Sequence, residues 1–155
     1  TLIMVHPKSL YLGITLLLLP SCGVDVHSTV PDAPVYYEID FASSEAIPLR
    51  QPSGYLRIEE RTIENSAIGF GGLLVVHSML ENGVYYAYDL ACPHEVSADV
   101  RLFVNDQLEA ECPQCHSTYS ILYGGGGPTG GPTKAPLRNY ATQRTSRGLL
   151  VYNRY

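Results

Sequence analysis

From Val35 onward the hydrophobic pattern is a series of short runs, β-branched or aromatic and bounded by Gly, Pro or Ser. Such runs at 35–41, 55–58 and 73–78 predict strands, and no helical period of useful length competes with them. Asn82-Gly83 separates the third run from a fourth at 84–90, and Asn-Gly is the strongest short hairpin signal a sequence offers. Runs at 100–104 and 108–111, split by a turn at Asn105-Asp106, predict a second hairpin, and 119–123 and 149–152 supply later strands. The expectation is an all-β fold with antiparallel pairing.

The first part of the chain follows another pattern. Lys8 is the only formal charge in the first twenty-one residues, and 10–19 is an apolar run. Ten residues are too few to span a bilayer but suit the apolar region of a secretory signal. The run ends in Leu19-Pro20-Ser21-Cys22-Gly23, which resembles a bacterial lipobox, whose Cys becomes the lipidated first residue. An ordinary cleaved signal, or a buried apolar segment with an incidental Cys, is the alternative. The expected organisation is a signal peptide at 1–21, a lipidated tether at 22–34 that carries no core, and one domain at 35–155. The protein is then expected in a bacterial cell envelope, lipid-anchored in the membrane and facing the periplasm or the surface.

A chain of 155 residues is one domain's worth, so whatever chemistry it performs must fit one site. The net charge of −5 argues against nucleic acid or an anionic membrane surface as partner. With Cys22 assigned to lipid, Cys92, Cys112 and Cys115 remain, and an odd number of thiols in an exported chain does not suggest a disulfide framework. Metal binding is the better use for them.

Each predicted hairpin delivers the chain into one of those cysteines. Cys92-Pro93-His94 follows the first and, after seventeen intervening residues, Cys112-Pro113-Gln114-Cys115 follows the second. Thiolate and imidazole suit soft and borderline metals, and close pairs let each loop contribute two ligands. One Cys-x-x-Cys is a weak signal; two such pairs at strand ends form a much stronger one.

On these loops the chain from about Val35 onward resembles a Rieske-type [2Fe–2S] domain, in particular the Rieske-like lipoproteins of Bacteroidetes-type bacteria. Rieske second loops run Cys-Pro-x-His-Gly-Ser-x-Tyr, and here residues 112–119 read Cys-Pro-Gln-Cys-His-Ser-Thr-Tyr. The resemblance implies an antiparallel β-sandwich with a small cluster-binding subdomain at about 90–123. It also implies a Gly/Pro covering loop at 124–136, within and after which Gly131-Pro132, Pro136-Leu137 and Tyr140 match the family's order. Ser117 and Tyr119 match hydroxyls that donate to a bridging sulfide and to a Cys sulfur.

Cys115 stands where the family has its second His ligand, and His116 where it has Gly. Several site chemistries stay open. Cys92 and Cys112 hold one iron of a [2Fe–2S] cluster while His94 and Cys115 hold the other; His116 replaces Cys115 as ligand; one tetrahedral zinc is held by Cys92, His94, Cys112 and Cys115; or the site holds no metal and two thiols pair. No catalytic nucleophile arrangement, paired-carboxylate site or phosphate cradle stands out, so an electron-transfer protein is expected rather than a stand-alone enzyme. The expected function is one-electron transfer as a carrier or accessory redox subunit, with exposed His94 near the exit toward a redox protein partner. The alternative is a non-redox lipoprotein that uses the fold as a structural or binding module.

Overall fold

The structure, a computed structural model, describes residues 27–154. The expected signal peptide, the expected lipidation site Cys22 and the start of the expected tether lie outside the described residues.

Among the described residues the chain forms eleven strands and one short 3-10 segment. In order they are β1 (Val35–Asp40), the 3-10 segment (Ile47–Arg50), β2 (Tyr55–Ile58), β3 (Ala67–Ile68), β4 (Leu73–His77) and β5 (Tyr85–Asp89). Then come β6 (Phe103–Val104), β7 (Glu109–Glu111), β8 (Thr118–Ser120), β9 (Pro128–Gly130), β10 (Asn139–Arg144) and β11 (Gly148–Tyr152). Every paired strand is antiparallel. A seven-stranded sheet has the order β2-β4-β5-β10-β11-β1-β3, and a four-stranded sheet the order β6-β7-β8-β9.

The larger sheet curls, because side chains from both of its ends meet in one core. Val35, Tyr37 and Ile39 of β1 pack with Ile58, Leu73, Val75 and Leu149. A second core lies on the outer face of β4 and β5, where Leu74, Val76, Tyr88 and Leu90 meet Leu102, Ala110, Tyr119 and Ile121. β4 therefore serves two cores, with Leu73 and Val75 facing one and Leu74 and Val76 the other. A strand covered on both faces must be apolar at every position, which is why 73–76 reads as an unbroken Leu-Val run.

The Asn82-Gly83 hairpin joins β4 to β5 with His77 opposite Tyr85. Gly83 takes φ +80° there, a conformation open to glycine at little cost. In the second hairpin Asn105 holds the turn, its side-chain oxygen accepting from the amides of Gln107 and Glu109 at 3.1 and 3.0 Å. The predicted strand at 100–104 is shorter as a ladder, with Phe103–Val104 paired to β7 and Arg101 bridged to Ala91.

Three strands had no clear signal. β3 has two residues; β10 reads Asn-Tyr-Ala-Thr-Gln-Arg and becomes a strand because β5 and β11 flank it. β9 lies inside the segment expected to be a covering loop, so 124–136 is a loop with an edge strand embedded in it. The tether expectation changes too. Val30 is buried at 1% exposure, Arg138 Nε donates to its carbonyl at 2.8 Å, and the Arg138 guanidinium pairs with Asp32 at 3.2 Å. Asn153 closes this strap, donating to the Ala33 carbonyl and accepting from the Val35 amide at 2.9 and 2.7 Å. Residues 29–34 are thus bound to the domain, and Val30 is a core residue.

Candidate metal centre

The first cysteine loop leaves β5 through a buried carboxylate. Asp89 is fully buried, and its Oδ1 accepts from the amides of Gly71 and Ala91, both at 2.8 Å. Its Oδ2 accepts from the Phe70 amide at 2.7 Å and the Tyr140 hydroxyl at 2.6 Å. Four donors satisfy the carboxylate, as a buried charge requires. They also tie the turn at 69–72, β5 and β10 together at Asp89, three residues before Cys92.

The two cysteine loops repeat one backbone device. In the first, the Val96 amide donates to the Cys92 carbonyl at 2.9 Å and Val96 takes φ +50°. In the second, the His116 amide donates to the Cys112 carbonyl at 3.1 Å and His116 takes φ +56°. Each turn aims the next amides at its leading sulfur: those of His94 and Glu95 at Cys92, and those of Gln114 and Cys115 at Cys112. In this correspondence His94 sits where the second loop has Gln114, and Glu95 where it has Cys115. The left-handed φ at His116 is one that ordinarily suits glycine, so the histidine is held there at a conformational cost.

The loops bring Cys92, Cys112 and Cys115 together, their sulfurs all within 4.8 Å of one another. Cys92 Sγ and Cys115 Sγ are 3.6 Å apart, and all three cysteines are free thiols. Cys92 and Cys112 are fully buried at the top of the second core, and Cys115 is half-buried. His94 is exposed and stands outside the sulfur group. His116 also points away, with its Nδ1 3.5 Å from Glu111 and its side chain 74% exposed.

Two hydroxyls flank the sulfurs. The Tyr119 hydroxyl lies 3.5 Å from Cys92 Sγ, and the Ser117 hydroxyl 3.1 Å from Cys115 Sγ. Burial pushes the Cys92 thiol up, but the Tyr119 hydroxyl, the Glu95 and His94 amides and the Cys112 thiol together outweigh it, leaving its pKa lowered. Cys112 goes the other way: burial dominates over its two amide donors and raises it to about 12. Burial likewise raises Tyr119, so its hydroxyl stays protonated and remains a donor.

The covering segment reaches this group through Gly131, at φ +84°, where an added Cβ would lie 2.5 Å from Ser117 Cα. The next buried residue, Thr133, donates its amide to Ser117 Oγ at 3.3 Å. Leu137 packs in the second core, whereas Tyr140 belongs to the first core and to Asp89 rather than to the cover. From the N-terminal side, the Thr29 hydroxyl donates to the Pro93 carbonyl of the first loop.

This donor set fits a sulfur-ligated metal. Thiolates sharing one tetrahedral ion at about 2.3 Å sit roughly 3.8 Å apart, within the range seen for the three sulfurs. Backbone amides aimed at the ligand sulfurs stabilise the charge that such thiolates carry. Asp89, Thr133 and Thr29 were not singled out in sequence. Only Asp89 carried a signal, as a carboxylate that closes an apolar strand just before a cysteine loop.

No model of a known protein family matches the chain, and no curated protein matches it. Among solved structures it is similar to a chain from a complex of reduced oxygenase and oxidized ferredoxin in carbazole 1,9a-dioxygenase. That match has 20% identity and a TM-score of 0.47, and covers 76% of this chain and 93% of that one. It is also similar to the ferredoxin of carbazole 1,9a-dioxygenase from Nocardioides aromaticivorans IC177, at 18% identity and a TM-score of 0.44, covering 79% of this chain and 98% of that one.

Proposed function

We propose that the domain is a one-electron carrier built around an iron–sulfur centre of the [2Fe–2S] type, with Cys92, Cys112 and Cys115 as sulfur ligands and His94 as the fourth. The observation that carries this reading is the convergence of three thiols from two loops beneath a shell of amide and hydroxyl donors. A bound cluster supplies a centre that accepts one electron from a reduced donor protein and releases it to an acceptor, with no net change. The chain's own residues bury the sulfurs, supply hydrogen bonds to them and leave His94 at the surface for a redox partner to approach.

A second reading rests on a specific distance. Cys92 and Cys115 stand 3.6 Å apart, as on one ion, whereas ligation of the second iron by Cys115 requires that pair to separate. A single zinc bound by the same three sulfurs and one further ligand meets that distance without movement. Protein purified without oxygen and analysed for metal and acid-labile sulfide separates the two: two irons and two sulfides with red-brown absorption support the carrier. One zinc in a colourless protein defeats it.

The extra thiolate also sets the potential. Rieske centres span roughly −150 to +300 mV and plant-type ferredoxins lie near about −400 mV, so a centre with three thiolates and one imidazole belongs between them. A midpoint well inside the Rieske range would count against Cys115 as ligand.

The setting we propose is a lipid-anchored protein of the bacterial envelope. Thr29 lies seven positions after Cys22 and touches Pro93. At no more than about 3.6 Å per residue, a lipid on Cys22 would keep the first cysteine loop within about 25 Å of its attachment. Globomycin-sensitive processing and palmitate labelling that disappears in Cys22→Ser test the anchor.

A further inference from the structure

Ser117 is fully buried and makes two polar contacts through one oxygen. The Thr133 amide donates to Ser117 Oγ at 3.3 Å, and Cys115 Sγ lies 3.1 Å from the same atom. Thr133 is itself buried at 5% exposure, and the close approach of Gly131 to Ser117 Cα fixes the segment that carries it. A hydroxyl has one proton and two acceptor positions, whereas a backbone N–H can only donate. The Thr133 amide therefore occupies the acceptor side of Ser117.

The other contact depends on the state of Cys115. A protonated thiol can donate to Ser117, but a cysteine must lose its proton to bind a metal. The 3.1 Å contact then persists only with Ser117 donating its proton to the sulfur. With its acceptor side already engaged, Ser117 is turned to do so. We propose that the Thr133 backbone amide is a positioning group that orients the Ser117 hydroxyl as a hydrogen-bond donor to metal-bound Cys115. The inference rests on the metal-centre reading. It adds how the chain accommodates a third thiolate: the charge that Cys115 brings is offset by a donor held in place from the covering segment.

The test uses the full chain loaded with cobalt(II), whose thiolate charge-transfer band reports on the sulfur–metal bond, with affinity measured by competition against a chromophoric chelator. Ser117→Ala should weaken cobalt binding about 10- to 100-fold and shift the charge-transfer band, as loss of a hydrogen bond to a ligand does. Thr133→Pro, which deletes the amide donor, should produce the same band shift, and the double variant should bind no more weakly than Ser117→Ala alone. Independent, additive losses would overturn the proposal.

Should Thr133→Pro fail to fold, the decision falls to a cycle with Cys115→Ala, in which adding Ser117→Ala should change affinity less than about twofold. A loss in that background as large as in the wild type shows that Ser117 acts elsewhere and overturns the assignment. Failure of the wild-type chain to take up either cobalt or an iron–sulfur centre defeats the metal-centre reading itself, and this inference with it. Normal wild-type binding with an uncoupled Ser117 defeats only the inference.

Discussion

Removing the hydroxyl of Tyr140 should destabilise the domain by about 2 kcal/mol, a magnitude that follows from the environment of Asp89. Tyr140 is 4% exposed, and its hydroxyl donates to Asp89 Oδ2 at 2.6 Å. Tyr140→Phe keeps the ring and its packing in the first core, so no cavity forms and the change isolates one hydrogen bond. Bonds to ionised groups contribute about 1.5–3 kcal/mol net. Asp89 Oδ2 keeps the Phe70 amide at 2.7 Å, so the carboxylate is not orphaned and the upper part of that range does not apply. The loss corresponds to a fall in Tm of roughly 4–8 °C for a chain of this size.

Urea unfolding at neutral pH measures it, with the m-value unchanged if only stability moves. Asp89→Ala gives the comparison: it strips the Phe70, Gly71 and Ala91 amides of their shared acceptor. Each buried donor left unpaired costs about 1–3 kcal/mol, so its loss should exceed that of Tyr140→Phe by several kcal/mol. A Tyr140→Phe loss below about 0.5 kcal/mol, or an Asp89→Ala loss no larger, would refute the view of Asp89 as the clamp beneath the first cysteine loop.

Three further outcomes are expected. Burial raises Tyr88 and Tyr140 above their ordinary 10.0, and Asp89 adds to the shift at Tyr140, so the folded state holds phenol protons that the unfolded state begins to release near pH 10. The stabilisation is complete below that pH and is lost above it, at up to about 1.4 kcal/mol per pH unit for each group. Tyrosinate absorbance should thus rise together with unfolding for these two residues, and reversible titration of all twelve tyrosines near pH 10 with the fold intact would contradict it. His116→Gly should stabilise the metal-free chain by about 0.5–1 kcal/mol in thermal unfolding. It relieves a left-handed residue and sacrifices only an exposed contact with Glu111, though glycine's chain entropy offsets part of the gain. Val30→Ala should cost about 1.5–2.5 kcal/mol in the same assay, the transfer of roughly two methylenes plus a small cavity; a free tether would show no loss.

What could be read from residues in order was the part of the molecule governed by neighbours in sequence. The runs that became β1, β2, β4 and β5 are apolar enough to form strands in any arrangement that buries them. The Asn82-Gly83 and Asn105-Asp106 turns specify their hairpins through local backbone geometry. The two cysteine loops were equally legible, because each is a closed turn whose amides face its own leading sulfur.

Tertiary structure decided what depends on partners distant in the chain. β9 and β10 are too polar to announce themselves and exist as strands because β8, β5 and β11 offer them ladders. The continuous apolar character of β4 was visible, but that it divides two cores was not, since the second core is completed by residues from 90 to 137. The strap at 29–34 reads as a polar tether, and only Arg138 and Asn153, more than a hundred residues away, bind it to the domain. The sequence supplied three thiols and two histidines as candidate ligands. The left-handed turn at His116 and the path of the first loop leave both imidazoles outside the sulfur group. Side-chain direction at a loop end is set by a few dihedral angles that residue identity alone does not fix, and only the folded chain brings the two cysteine loops and the covering segment of Thr133 together around the sulfurs.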